Sequence, residues 1–441
     1  MPAALIPASA RSLPLAVRAQ GARIFTADGR DYLDGSSGPL AANLGHGHPA
    51  MIEALNRQSH DVVFAHRAQF RNAPAERLAV EVAARLGDGF GLSSFVCGGS
   101  EAVELAMKLA HMTWAAQGRP EKHRYVSGQV SYHGNTLGAM NLSGQPRYSS
   151  AFRPLVHSEQ TITVPQTYRL DVPDGRTPAE QAVARLRAEF ATLDVEHTAA
   201  VVFEGVGGSS SGVTVPPPGF FEELRALCDE HDVLWICDEV MSGFGRTGKW
   251  FAFQHSSAAP DIVCYAKGIA GGYAPLGGVT VSDRVWDLIS DAHPAVTAGH
   301  TFTNFPLNCA IGLAALDVIE EERLLDRVID RGERLGQQLS AIAEQAGIVG
   351  DVRGTGYMWG LELTLPGTTE PFDPALDVTT RAVAIAAEHR LIVYPARLCA
   401  GDGRGDALIV APPLNATDDE LDDLLSRLEG SLHSIRVSLD I

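Results

Sequence analysis

Only four lysines, Lys108, Lys122, Lys249 and Lys267, stand beside 31 arginines in this 441-residue sequence. Amine chemistry that needs a lysine therefore has four candidates, and one differs in setting. Lys267 ends the apolar run Ile262-Val263-Cys264-Tyr265-Ala266 and is followed by Gly268 and by Gly271-Gly272, which permit a tight chain reversal. Burial disfavours the charged ammonium, so a lysine in such a pocket becomes a nucleophile near neutral pH. Lys108 falls mid-helix, Lys122 in the polar stretch GRPEKHR and Lys249 in a turn after GRTG. Each of these three reads as a solvated surface charge.

Two further constellations precede Lys267. Asp238 closes the apolar run Leu234-Trp235-Ile236-Cys237. A carboxylate at the carboxyl end of a buried parallel strand faces the crevice where such sheets bind ligands, and it needs a cation there. A protonated pyridine nitrogen fits that need, and such a carboxylate would keep the ring an electron sink. A magnesium-holding aspartate or a structural salt bridge would also satisfy it, although no GxxxxGK[ST] phosphate loop accompanies it. Earlier still, Cys97-Gly98-Gly99-Ser100-Glu101-Ala102 joins an apolar strand to a strong helix. Glycines there let an anion approach the free N–H groups of a helix start. An ordinary turn with Ser100 as N-cap explains the same residues equally well.

The elements that must position these residues read as follows. Residues 22–43 alternate short apolar stretches with turn signals, and Ala27-Asp28-Gly29 suits a hairpin turn. Helical patterns begin at Pro49. Between about 90 and 300, apolar strands alternate with amphipathic helices, which implies a parallel sheet covered on both faces. A long helical stretch follows Asn308, then three strand-like pieces (VGDVRGTG, MWGLELTL, LIVYPA) and a closing helix capped near Thr417. The expected division is 1–50 (an N-terminal arm and part of a small domain), 51–308 (a large domain) and 309–441 (a linking helix and the rest of the small α+β domain).

Bulk properties bound the function. Hydrophobic residues make up 45% and charged residues 20%, the balance of a soluble globular protein. No apolar run is long enough to span a bilayer, and residues 1–14 lack the pattern of a secretory signal, so a cytoplasmic location is expected. The net charge of −18 disfavours nucleic acid as a partner. Cys97, Cys228, Cys237, Cys264, Cys309 and Cys399 are scattered with no CxxC pair and read as reduced thiols. His46 and His48 in GHGHP lack a third ligand at metal spacing, so no metal is expected and structural hydrogen bonds explain them.

An anion cradle, a buried carboxylate and a strand-end lysine, in that order on an α/β chain, resemble the class III (ω-type) aminotransferases of pyridoxal-phosphate fold type I. The resemblance runs from about Val17 to the C-terminus through DYLDGSSG, NLGHGHP, CGGSEAVELAMKLA, SYHGNTLGA, CDEVMSGFGRTGKWFAF, PDIVCYAKGIAGGYAPLGG, HTFTNFPLNCAIGLAAL and VRGTGYMWGLEL. It implies a large domain with a mostly parallel seven-stranded sheet, plus a smaller domain built from both chain ends. It implies pyridoxal 5′-phosphate as cofactor, with Lys267 forming the Schiff base and moving the proton. Asp238 would hold the pyridine nitrogen, Tyr132 and Val240 would press on the two ring faces, and Gly99 and Ser100 would take the phosphate. His133 and Glu204 would complete the cofactor set. Thr301 would reach the phosphate of a neighbouring subunit, which implies a homodimer or a dimer of dimers.

The family pattern is not followed everywhere. Where the family commonly reads Pro-x-x-Gly after Glu204, this chain has Gly205-Val206-Gly207-Gly208-Ser209-Ser210-Ser211-Gly212. Ornithine-type members carry a glutamate at the place of Ser209, gating an arginine that resembles Arg353. Without that gate, Arg353 is expected to be free to take a substrate carboxylate. Arg404 precedes Gly405-Asp406 at a spacing unlike the family's mobile arginine, and Arg67 and Arg71 fall in a segment that lines the family's substrate entrance. The expected reaction moves an amino group from an amine or amino acid to a 2-oxo acid such as pyruvate or 2-oxoglutarate, in a ping-pong cycle. A racemase, epimerase or aminomutase on the same scaffold is the alternative, with decarboxylation a further activity found on it. A non-catalytic nucleotide-binding α/β protein would need the three features to coincide by chance.

Overall fold

The computed structural model describes residues 5–6, 13–145, 150–156, 160–293, 295–400 and 403–441. The expected N-terminal arm over 1–14 lies outside the described residues except at 5–6 and 13–14. The chain opens as an antiparallel meander of β1 (Ala16–Gln20), β2 (Arg23–Thr26) and β3 (Asp31–Asp34). Gly29, at φ 80°, closes the expected hairpin and donates its N–H to Thr26 at 3.0 Å.

The large sheet contains β4 (Phe90–Val96), β5 (Arg124–Gly128), β6 (Gln160–Ile162), β7 (Thr198–Glu204), β8 (Leu234–Asp238), β9 (Ile262–Tyr265) and β10 (Gly277–Ser282). Their order is β4-β10-β9-β8-β7-β5-β6, and only β10 runs against its neighbours. Strands β8 and β9 are buried throughout. Period two divides their side chains between the two faces. Trp235, Cys237, Val263 and Tyr265 join one core, whereas Leu234, Ile236, Ile262 and Cys264 join another with the helix Gly99–Ala116. Doubly covered strands are continuous in apolar character, which is why their sequence signal is strong.

The long helical stretch after Asn308 is two helices, Pro306–Glu321 and Leu324–Ala346. Arg323, at φ 52°, breaks the i→i−4 ladder between them, and no glycine or proline marks the break. Strands β11 (Val349–Thr355) and β12 (Met358–Leu363) follow as expected. The piece LIVYPA divides into β13 (Leu391–Ile392) and β14 (Tyr394–Arg397). β13 joins β3 in parallel, so the two ends of the chain share a sheet. β15 (Asp406–Val410) was not expected. It is buried on both faces at the centre of the sheet β11-β12-β15-β14, and it carries no alternation to announce it. Thr417 caps the last helix, Asp418–Ser438, through a reciprocal capping box with Glu420. No helix among the described residues is long and apolar enough to cross a membrane.

One lysine is corrected. Lys122 is not a surface charge: it is fully buried, with Nζ donating to the carbonyls of Val195 and Thr198 at 2.8 and 3.0 Å and lying 4.8 Å from the centre of the Trp114 ring. The polar flanks of GRPEKHR concealed a side chain that turns inward to close a loop. Lys108 and Lys249 are exposed.

Candidate active site

Three strand ends meet at one cleft. It encloses about 160 Å³ and is lined by Gly99, Ser100, Tyr132, His133, Gly134, Glu204, Val206, Asp238, Val240, Met241 and Lys267. Glu204 and Asp238 are register partners on the adjacent strands β7 and β8, and Lys267 follows the end of β9. Carboxyl ends of parallel strands open onto the same edge, so residues distant in sequence converge.

Lys267 lies in a short turn, Lys267–Ala270, with its backbone at φ 48°. That left-handed conformation is sparsely populated for a residue with a side chain and persists only where the surroundings impose it. Gly268 shows how: a β-carbon there would lie 2.4 Å from Asn43 Nδ2 and 3.2 Å from the Gly243 carbonyl oxygen. Asn43 is in turn held by Arg246, which is buried and donates to Asn43 Oδ1 at 2.5 Å and to the carbonyl of Tyr357 at 3.2 Å. Gly268→Ala is therefore expected to unseat this bracket, lowering stability by about 1–3 kcal/mol as overpacking does. Thermal unfolding, together with the fraction of cofactor retained on gel filtration, would measure it.

Burial pulls the Lys267 amine down to about 8, against the opposing attraction of Asp238 and Glu204. Asp238 is 4% exposed. Its Oδ1 accepts the Val240 N–H at 3.0 Å, and its Oδ2 lies 2.7 Å from His133 Nδ1. His133 is itself buried. Burial lowers its affinity for a proton, but Asp238 and then Glu204 outweigh this and raise it above the usual value. Its Nε2 has no hydrogen-bond partner among the described residues. Burial pushes Glu204 up to about 7, with His133 opposing, while its Oε1 accepts the Gly208 N–H at 2.9 Å.

The helix Gly99–Ala116 points its N-terminus at this cleft. Gly98 is the N-cap residue and supplies no side chain, so the first-turn N–H groups keep their anion-binding capacity. Gly99 must be small, since a β-carbon would sit 2.9 Å from Val240 Cγ1. Ser100 Oγ accepts the Asn135 N–H at 3.0 Å, which ties the SYHG segment to the cradle. An uncapped helix start, a buried carboxylate and an amine of lowered basicity together match an anionic group, a cationic ring nitrogen and an electrophilic carbonyl. Those are the three recognisable parts of pyridoxal phosphate, so the residues present fit that cofactor.

The remaining candidates lie apart from the cleft. Arg353 is corrected: it is not free to meet a substrate. Its guanidinium donates to Val213 O, Ser211 O, Asp351 and Glu362, and two carboxylates already neutralise it. Arg404 lies 3.7 Å from Glu370 and does not line the cleft. Arg67 donates to the carbonyls of Val296 and Thr297, and Arg71 pairs with Glu76 at the surface. Thr301 is exposed and outside its own chain's cleft. His48 bonds Glu322, and the described residues include no cluster of three metal-ligating side chains. All six cysteines are free.

Sequence reasoning assigned no role to Glu239, Arg246, Asn43, Val206 or Met241. Glu239 is buried beside Asp238, accepts from Ser242 Oγ and the Phe253 N–H, and is pushed up to about 7 by burial. Its position in Asp238-Glu239-Val240 was a usable signal, because a second carboxylate directly after a buried strand end must also find donors. Met241 and Val206 carry no polar atom that pattern reading could single out.

A doubly wound sheet with these groups at its carboxyl edge defines a pyridoxal-phosphate enzyme of fold type I. Residues 6–432 match the model of the class III aminotransferases. The chain is 35% identical over 434 residues to an uncharacterized aminotransferase, YodT, of Bacillus subtilis, covering 98% of both. It is also 35% identical to the adenosylmethionine-8-amino-7-oxononanoate aminotransferase of Geobacter sulfurreducens, covering 95% of this chain and 92% of that one. Among solved structures, an (S)-enantioselective omega-transaminase from Thermomicrobium roseum matches with a TM-score of 0.89 and 31% identity, covering 98% of this chain and 96% of that one. The chain belongs to the class III aminotransferase family. It is a pyridoxal-phosphate-dependent enzyme that moves an amino group from a donor to a 2-oxo acid, and the racemase alternative is not favoured.

Proposed function

We propose that Lys267 carries the cofactor and moves the proton of amino transfer, with an amine or amino acid as donor and pyruvate or 2-oxoglutarate as acceptor. The observation that carries this reading is the convergence of Lys267, Asp238 and the Gly99-Ser100 helix start on a single cleft. When bound, pyridoxal phosphate supplies an electrophilic carbonyl and an electron-withdrawing ring that side chains lack. Lys267 Nζ holds and returns the mobile proton, while Asp238 keeps a proton on the ring nitrogen. Gly99 and Ser100 would hold the phosphate, and Tyr132, Val240, Glu204 and His133, which line the same cleft, would surround the ring. Support for a homodimer comes from Phe64 and Phe302, two exposed aromatic rings with centroids 6.2 Å apart, the second adjacent in sequence to Thr301. In that assembly Thr301 would serve the partner's cofactor. The division into 1–50, 51–308 and 309–441 is supported by the pairing of β3 with β13. The cytoplasm is the compartment proposed, in keeping with six unpaired thiols.

The deciding experiment adds an amino donor alone to the holoenzyme. Transfer predicts loss of the visible cofactor band and one keto product per site, with the band restored by 2-oxo acid. Retention of the band, with racemised donor and no keto product, would overturn the reading.

A further inference from the structure

We propose that Arg353 is a positioning residue that sets the substrate-facing wall of the cleft by clamping the segment 205–214. The inference rests on reading the cleft as the amino-transfer site. Arg353 sits on β11 opposite Gly360 of β12. Its Nε donates to Val213 O at 3.0 Å and its Nη2 to Ser211 O at 2.9 Å, while Nη1 meets Asp351 at 2.8 Å and Glu362 at 2.6 Å. Glu362 is fully buried and also pairs with Arg169. The planar fork thus grips one segment with two nitrogens while its charge is balanced through the third.

The gripped segment needs external ties. Four of the eight residues from Gly205 to Gly212 are glycine, and glycine loses more freedom on ordering than any other residue. Gln145 supplies a second tie, donating to Ser210 O at 3.0 Å. Gly360 lets the segment lie against the sheet, since a β-carbon there would be 2.3 Å from Gly212 O. Val213 is at φ 65°, a strained conformation for a β-branched residue. Its side chain is anchored in a small core with Met358, Ala407 and Ile409.

Position passes from the clamp to the cleft in short steps. Val213 N–H donates to Gly208 O at 3.1 Å, and Gly208 N–H donates to Glu204. Gly208 also backs Met241, whose Sδ would be 2.4 Å from a β-carbon there. Glu204, Val206 and Met241 all line the cleft. The arginine that resembled a substrate ligand therefore acts through the wall, on the shape the substrate meets.

The test uses holoenzyme and two donors that the wild type accepts, one small and one larger by a phenyl group. Arg353→Met is expected to shift the ratio of kcat/KM about ten-fold toward the bulky donor, a change the size of one methylene's misfit in a pocket. Arg353→Lys keeps a positive charge beside Glu362 but loses the planar fork that reaches both carbonyls, and should shift the ratio the same way even if Arg353→Met folds poorly. The shift should arise mainly in KM, with the cofactor band intact, which a general loss of stability would not produce. An unchanged ratio in folded, cofactor-loaded Arg353→Lys overturns the clamp while leaving the transferase reading standing. A wild type that transfers no amino group from any donor sinks both.

Discussion

Lys267→Ala is expected to lose turnover by about 10⁴-fold, the upper end of what one positioned acid–base group contributes, and to release its cofactor on dialysis. The expectation follows from two properties on one atom. With the amine pulled to about 8 by burial, about a tenth of it is uncharged at pH 7, against fewer than about one in a thousand for an ordinary lysine. The same amine lies in the one cleft that also presents Asp238 and an uncapped helix start. Lys122 supplies the control. It too is buried and pulled down to about 8, but its Nζ is spent on two carbonyls away from the cleft. Lys122→Met should lower the melting temperature while the cofactor band and turnover per folded molecule persist. If Lys267→Ala kept turnover within about ten-fold of the wild type, below the smallest acid–base contribution, the assignment of the lysine would be wrong.

The contrast between those two lysines shows what pattern can and cannot report. The strand ending at Tyr265 is buried on both faces, so its apolar run is unbroken and the residue after it stands out. Lys122 is buried by a loop that folds over it, and a loop's polar flanks say nothing of where one side chain turns. Strands β7, β8 and β9 were legible for the first reason, whereas the partly exposed β4 and the short β6 carry no unbroken apolar run. β15 was not, because it follows a turn-rich stretch and its pairing with β12 and β14 is set by residues over forty positions upstream and by a neighbour across a loop. The helix break at Arg323 is likewise a tertiary decision. In the site, Lys267, Asp238, Gly99, Ser100, Tyr132, His133, Glu204 and Val240 reach one cleft because motifs at strand ends are fixed by the sheet. Arg353 was misjudged because an arginine's partners lie across strands, and Glu362, Ser211 and Val213 are invisible to local spacing.

Asp238→Asn should cost nearly as much as loss of the lysine, though for an electrostatic reason. Asparagine keeps the size of the side chain and can still accept the Val240 N–H, so the strand end should hold its course. What disappears is a buried negative charge that faces both His133 and the proposed ring nitrogen. Removing one member of a buried charge pair typically costs about 3–5 kcal/mol. Applied to a cationic ring nitrogen, that loss is roughly 10²- to 10⁴-fold in kcat at about 1.4 kcal/mol per decade. The variant also carries a signature in stability. Because His133 has its proton affinity raised in the folded state, mainly by Asp238 against the effect of burial, the wild type gains stability from this pair. That gain is fully present below the ordinary histidine value and is lost as pH rises through the raised folded value. Asp238→Asn removes the partner, so the difference in melting temperature between wild type and variant should be largest at low pH and shrink as pH climbs past neutrality. A difference that stayed flat across that range would mean that His133 is neutral beside Asp238. A kcat within about ten-fold of wild type, well short of what a lost buried charge costs, would remove Asp238 from its place at the ring.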